Sequence, residues 1–211
     1  MMNWLTRHFE IGRNYLIAQQ HREQLNTLIF ERLVAPFQIG RKQHLWGELA
    51  RQLPAIGRRL GWVPNQIQAL FLNRTVEEEL ADAAGAAERL LRPQDRHFEL
   101  ANHLLDQLRL SHLAHRPPLS LSEGETKIVW LLTQWVKSPD YLVIGDLPAN
   151  LFAPKVAELT DFILAPSNRR FGPKTIILGY QPDQIDWCRH ILARSDWVKL
   201  PFTADMGADE P

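Results

Sequence analysis

Two stretches decide the fold: Leu119-Ser120-Leu121-Ser122-Glu123-Gly124-Glu125 and, further on, Tyr141-Leu142-Val143-Ile144-Gly145-Asp146-Leu147-Pro148. In the first, Ser122 followed three residues later by Glu125 is a capping-box pattern, which predicts a helix from Ser122 to Val136. Ser138-Pro139 ends it. In the second, Tyr141 to Ile144 is apolar without alternation, the mark of a strand buried on both faces, as in a parallel sheet. Gly145-Asp146 closes that strand. Val156 to Leu164 returns as helix, and Pro173-Lys174 introduces Thr175-Ile176-Ile177-Leu178 as a second buried strand. Strand, helix, strand in this order makes a right-handed crossover unit and an α/β fold with a mainly parallel sheet. Asp183 to Leu200 fits a further helix and a terminal strand, and Thr203 to Pro211 reads as a loose acidic tail.

Working upstream, Pro117-Pro118 breaks the chain, and helices are expected over Phe98 to Leu108 and over Val76 to Leu91, the latter ending near Pro93. Thr75 before Glu77-Glu78-Glu79 starts that helix, since acidic residues in the first turn suit its dipole. Lys42 to Leu53 carries Leu45, Trp46, Leu49 and Leu53 at helical spacing, stopped by Pro54. Leu60 to Val63 is too short to classify. Residues 1–35 leave helix and strand open.

Composition narrows the function classes. Charges balance at 24 basic and 24 acidic residues, so no net-charge footprint of a nucleic-acid binder is present. One cysteine, Cys188, excludes an internal disulfide and fits a reducing compartment. No run of 18 apolar residues occurs, and Met1 to Glu10 lacks the apolar core of a signal peptide, so a cytoplasmic protein is expected. The 8 histidines show no metal-ligand spacing; His112 and His115 suit a surface helix end. The tryptophans scatter as core or interface residues rather than as a platform for bases.

From Leu119 to Leu200 the chain resembles the second half of an ABC-type ATPase domain. Leu121, Ser122, Gly124 and Glu125 match the family's signature, Leu-Ser-Gly-Gly-Glu or near variants, and Glu123 departs. A hydroxyl and backbone amides at a helix N-terminus form an anion site, although a plain helix cap explains the same residues standing alone. In the family this segment completes the ATP pocket of the opposite subunit, so the resemblance implies a dimer. Tyr141 to Pro148 resembles Walker B: Asp146 stands at the magnesium-linked Asp, and Leu147 at the Glu that polarises the attacking water. Leucine accepts no proton. Ala149-Asn150-Leu151-Phe152 resembles the D-loop, with Phe152 in place of its Asp. Thr175 to Gln181 resembles the switch strand, with Gln181 for its His; glutamine bonds a phosphate but does not titrate.

Gly61-Trp62-Val63-Pro64-Asn65-Gln66 is similar to the strand and Q-loop, with Asn65 or Gln66 as the coupling amide. Phe71 to Leu80 is similar to the entry of the helical subdomain, nearest in look to energy-coupling-factor and cobalt-type ATPases. Counting back places the Walker A loop at Pro36 to His44, with Gly40 and Lys42 as its nucleotide contacts. Pro36, Ile39 and Arg41 replace glycines that let amides wrap phosphates, and Gln43-His44 replaces the magnesium-holding hydroxyl. Tyr15 or Phe9 is placed by spacing to stack on an adenine.

The resemblance therefore implies a single P-loop NTPase-like domain over 1–211 with a helical subdomain at about 66–137. It also implies ATP and magnesium, a homologous or intact ABC ATPase as partner, and a membrane permease that brings the chain to the membrane. Two functions follow from the damaged motifs. One is a transporter subunit that completes a partner's ATP site, its own hydrolytic site impaired; the other is a non-catalytic interaction protein that keeps the fold and binds no nucleotide. A nucleic-acid-directed ABC protein is disfavoured by the balanced charge and the missing coiled coil.

Overall fold

Continuous apolar runs become strands covered on both faces. The computed structural model describes residues 3–19, 24–29, 59–64, 71–148 and 151–201. Strands β1 (Asn14–Ala18), β2 (Leu60–Val63), β3 (Tyr141–Ile144), β4 (Thr175–Tyr180) and β5 (Trp197–Pro201) form one sheet in the order β2-β3-β4-β1-β5. Every pairing is parallel, with Leu142 beside Ile176, Tyr15 beside Ile177 and Leu16 beside Lys199. Alternate residues feed two apolar clusters. Leu16, Leu142, Ile144, Ile176 and Leu178 belong to the larger, and Tyr15, Ile17, Tyr141, Val143 and Ile177 to the smaller. This is the double burial that the unalternating runs require.

The smaller cluster is closed by Leu5 of α1 (Asn3–His8), Phe9, and Leu25 and Leu28 of α2 (Gln24–Ile29). The larger is closed by α3 (Val76–Ala87), α4 (Asp95–Gln107), α5 (Glu123–Val136) and α6 (Ala153–Leu164). Helices α3, α4 and α5 pack together, and α5 also lies on β2. The nearly all-round burial of α5 from Lys127 to Val136 suits a helix enclosed by its neighbours. Its Trp135 is fully buried, 4.8 Å from the Phe162 ring, with its indole N–H donated to the Asn168 carbonyl.

Helix ends differ from the sequence reading for local reasons. Thr75 and Glu78 form a capping box that starts α3 as expected. The helix stops at Ala87, short of Leu91, because Arg89 turns left-handed (φ 63°) and the Leu90 amide bonds back to the Gly85 carbonyl. Helix α4 begins at Asp95, ahead of Phe98, because the His97 ring accepts the Gln94 amide at 2.8 Å. Helix α6 begins at Ala153 rather than Val156, with Pro154 in its first turn, where a missing N–H costs nothing. The ambiguous segments resolve as α1, β1, α2 and β2, and the last part holds a 3-10 turn (Pro182–Cys188), α7 (Arg189–Leu192) and β5. The helix expected over Lys42 to Leu53 and the tail from Thr203 lie outside the described residues.

Candidate functional site

Parallel strands present their carboxyl ends along one edge, and ligands of such sheets bind in the crevice there, where the direction of connection reverses. Here β1 leads toward β2 on one side, while its neighbour β4 leads to β5 on the other, so the reversal falls at β4 and β1. Just past these ends stand Gln19 after β1, Gly145 and Asp146 after β3, and Gln181 after β4.

Gln19 is fully buried, and its side chain spans the crevice. Its amide N–H donates to the Gly145 carbonyl at 2.7 Å, and its side-chain oxygen accepts the Leu25 amide of α2 at 2.8 Å. Its backbone N–H donates to the Tyr180 carbonyl at 2.7 Å. The bridge passes over Gly179, where a Cβ would sit 2.1 Å from the Gln19 amide nitrogen and 2.3 Å from the Gly145 oxygen. Only a residue without a side chain lets the glutamine lie there.

Asp146 is 4% exposed. Lys127 of α5, itself 3% exposed, reaches across and donates its ammonium to the Asp146 carbonyl. A buried lysine is tolerated when its charge is hydrogen-bonded. Leu147 is 1% exposed and belongs to the larger apolar cluster, so its side chain is core. Gln181 is half-buried where Pro182 turns β4 into the 3-10 segment.

Ser122 and Glu123 are exposed, and Gly124 and Glu125 half-buried, at the N-terminus of α5. Ser122 and Glu125 close a capping box. The Glu125 carboxylate accepts the Ser122 backbone N–H and hydroxyl, each at 2.8 Å, and the Glu125 amide donates to the Ser122 hydroxyl at 3.3 Å. These Ser122 bonds, with Arg116 nearby, hold the Glu125 carboxyl below its ordinary pKa. Arg116 also donates to the Ser120 carbonyl at 2.7 Å, fixing the turn ahead of the helix.

The edge thus assembles Asp146, Leu147 and Gln181, while Ser122, Gly124 and Glu125 stand apart from them at the start of α5, joined to the edge through Lys127. Gly40, Lys42, Asn65 and Gln66 lie outside the described residues, as do Ala149 and Asn150 of the D-loop-like segment. Phe9 and Tyr15 do not reach a ligand. They are 1% and 5% exposed, stacked edge to face at 5.0 Å, and the Tyr15 hydroxyl accepts the Glu10 amide. Spacing placed them near a nucleotide, but the β1 pleat turns Tyr15 into the smaller core. His115 is exposed, with its ring bonded to Glu77 at 2.8 Å. Among the described residues, no group of three or more His, Cys, Asp or Glu converges as a metal site.

Sequence reasoning missed Gln19, Lys127 and Gly179. Lys127 carried a signal, a lone charge leading into the apolar run from Ile128. Gln19 carried less, because the strand before it could not be told from a helix.

Among the described residues, five parallel strands with helices on both faces and a crevice at the carboxyl edge fit an α/β domain of the P-loop NTPase type. No protein-family model matches the chain. It is 33% identical over 90 residues to the sulfate/thiosulfate import ATP-binding protein CysA of Vibrio cholerae, covering 42% of this chain and 24% of that protein. It is 31% identical over 121 residues to the molybdenum import ATP-binding protein ModC of Albidiferax ferrireducens, covering 56% of this chain and 31% of that protein. The matched stretches span less than a third of the length of these relatives. Among solved structures it is similar to cbiO1 of Clostridium perfringens, part of the ABC transporter complex cbiONQ. That match has a TM-score of 0.55 and 18% identity, covering 84% of this chain and 70% of the other. In sequence and in fold the chain is thus similar to ATP-binding subunits of ABC transporters. Among the described residues, no helix is long and apolar enough to cross a membrane.

Proposed function

We propose that this chain is the ATP-binding-cassette subunit of a membrane transport complex. It pairs head to tail with an intact ABC ATPase and supplies Ser122, Gly124 and Glu125 to the ATP held by that partner. The observation that carries this reading is the exposed start of α5, a helix otherwise locked into the core. A helix N-terminus with a hydroxyl and amides suits a terminal phosphate. In the chain alone the Ser122 hydroxyl is turned to Glu125, so serving a phosphate requires that bond to open.

The chain's own hydrolytic capacity is lost in this reading. Leu147 stands at the water-polarising position and Gln181 at the switch position, which leaves no general base there. Asp146 is what remains of the magnesium site. Asn65 or Gln66 is the amide that couples the subunit to a permease, and residues 66–137 form its helical subdomain. Phe152, exposed at the D-loop-like segment, presents an apolar side chain to the partner. ATP and magnesium then belong to the complex, and the chain works in the cytoplasm at the membrane face of its permease.

The second reading, a non-catalytic interaction protein, draws on the capping box that already engages Ser122. Mixing the chain with an intact ABC ATPase from the same organism separates the two. Ser122→Arg is expected to lower the hydrolysis rate of the complex about a hundredfold while co-elution persists, the scale for losing a phosphate-stabilising donor. An unchanged rate with the complex intact would move the assignment to the second reading.

A further inference from the structure

We infer that the chain holds no nucleotide of its own, because the Gln19 side chain takes the place that the phosphates of a bound nucleotide would fill. This deepens the reading above, in which the chain's own site is impaired. A phosphate loop runs from the end of a parallel strand to the start of the next helix. Of the described strands, β1 alone precedes β2, it lies where the connections reverse, and α2 follows it directly. The place of such a loop therefore opens at Gln19, the residue after β1. The stretch from there up to α2 reads Gln19-Gln20-His21-Arg22-Glu23, with no glycine to let amides wrap an anion and no lysine to meet it.

The contacts show what stands there instead. A phosphate would bond the first amides of the helix and lie between β1 and the end of β3. Gln19 does this with its own amide group: its oxygen takes the Leu25 N–H, and its nitrogen binds the Gly145 carbonyl. Gly179, which admits no Cβ beneath it, makes room for the glutamine bridge. At the residue after Gly145, the Lys127 side-chain nitrogen donates to the Asp146 carbonyl. That bond already engages the Asp146 carbonyl from within the fold. The phosphate half of a nucleotide therefore meets a place that the protein has already filled. Gln19 is a positioning residue that pins α2, β4 and β3 together without a ligand.

Titration of the purified wild-type chain with Mg-ATP tests the first half, and Gln19→Met, which keeps the volume but breaks both bonds, tests the second. The wild type is expected to show no saturable heat, a Kd weaker than about 1 mM. Its melting temperature should stay the same with and without Mg-ATP. Gln19→Met is expected to melt about 5–10 °C lower, because the Gly145 carbonyl and Leu25 amide stay buried without it. Saturable micromolar binding by the wild type, or a Gln19→Met chain that melts with the wild type, would overturn the inference. Should Gln19→Met fail to fold, the wild-type titration still decides. The Ser122→Arg result in the complex does not bear on these outcomes, so either idea can fail alone.

Discussion

Gly179→Ala asks whether the crevice is built around Gln19. The added methyl would sit 2.1 Å from the Gln19 amide nitrogen, 2.9 Å from its side-chain carbon and 2.3 Å from the Gly145 oxygen. Real contacts lie well beyond these distances, and the Gly145 oxygen is backbone just past β3, where the Gly145 N–H is held by the Val63 carbonyl, so it does not swing away freely. Overpacking of this kind costs about 1–3 kcal/mol. Pushing Gln19 aside breaks its bond to Gly145 and leaves buried groups unpaired, a further cost of about 1–3 kcal/mol. Together these are a large share of the ~5–15 kcal/mol that stabilises a typical domain. At this chain length they correspond to a fall in melting temperature of about 5–15 °C. Far-ultraviolet circular dichroism on heating reads the shift, and urea unfolding checks it. Adding Gln19→Ala removes the nearer clash, so the double variant should be less unstable than the sum of the two, by about 1–2 kcal/mol. A Gly179→Ala chain that melts within about 1 °C of the wild type would refute the bridge over Gly179.

The remaining predictions concern single groups. The Glu125 carboxyl has its pKa lowered in the fold, chiefly by the Ser122 bonds, so its stabilising contribution is full above the ordinary carboxylate pKa and fades as pH falls through the lowered value. Wild type should therefore lose more melting temperature between pH 6 and about pH 3 than Glu125→Gln does; equal slopes would exclude the capping box as a source of acid sensitivity. Cys188 is fully buried and its thiol is pushed up to about 11, so a thiol reagent at pH 8 should label it only after unfolding. Labelling of the native chain within seconds would contradict that burial.

The second half of the chain was largely legible because its signals are local. The unalternating run Tyr141 to Ile144 suggested a strand with two covered faces, and Ser122 with Glu125 announced a helix start that the structure realises with the expected bonds. Helix ends were less legible. Arg89 stops α3 through a left-handed turn that a non-glycine residue does not advertise, and α4 starts on a histidine ring rather than a usual capping residue. The edge was hardest to read. Its central residue, Gln19, is defined by partners at Leu25, Gly145 and Tyr180, the last two brought to it only by the sheet. Counting back from a motif found Lys42; the order of the strands points to Gln19. Tyr15 was misjudged for a related reason, since its side follows from the pleat of a strand whose existence the local pattern left open.

The central claim is that this subunit lends a phosphate site to its partner and keeps none for itself. Counting the nucleotides retained by a complex with an intact ABC ATPase, with hydrolysis blocked by a catalytic-glutamate substitution in that partner, tests it most directly. One ATP per pair of subunits is the result predicted. Two ATP per pair would place a nucleotide against Gln19 and contradict the account, and none would remove the lending of Ser122.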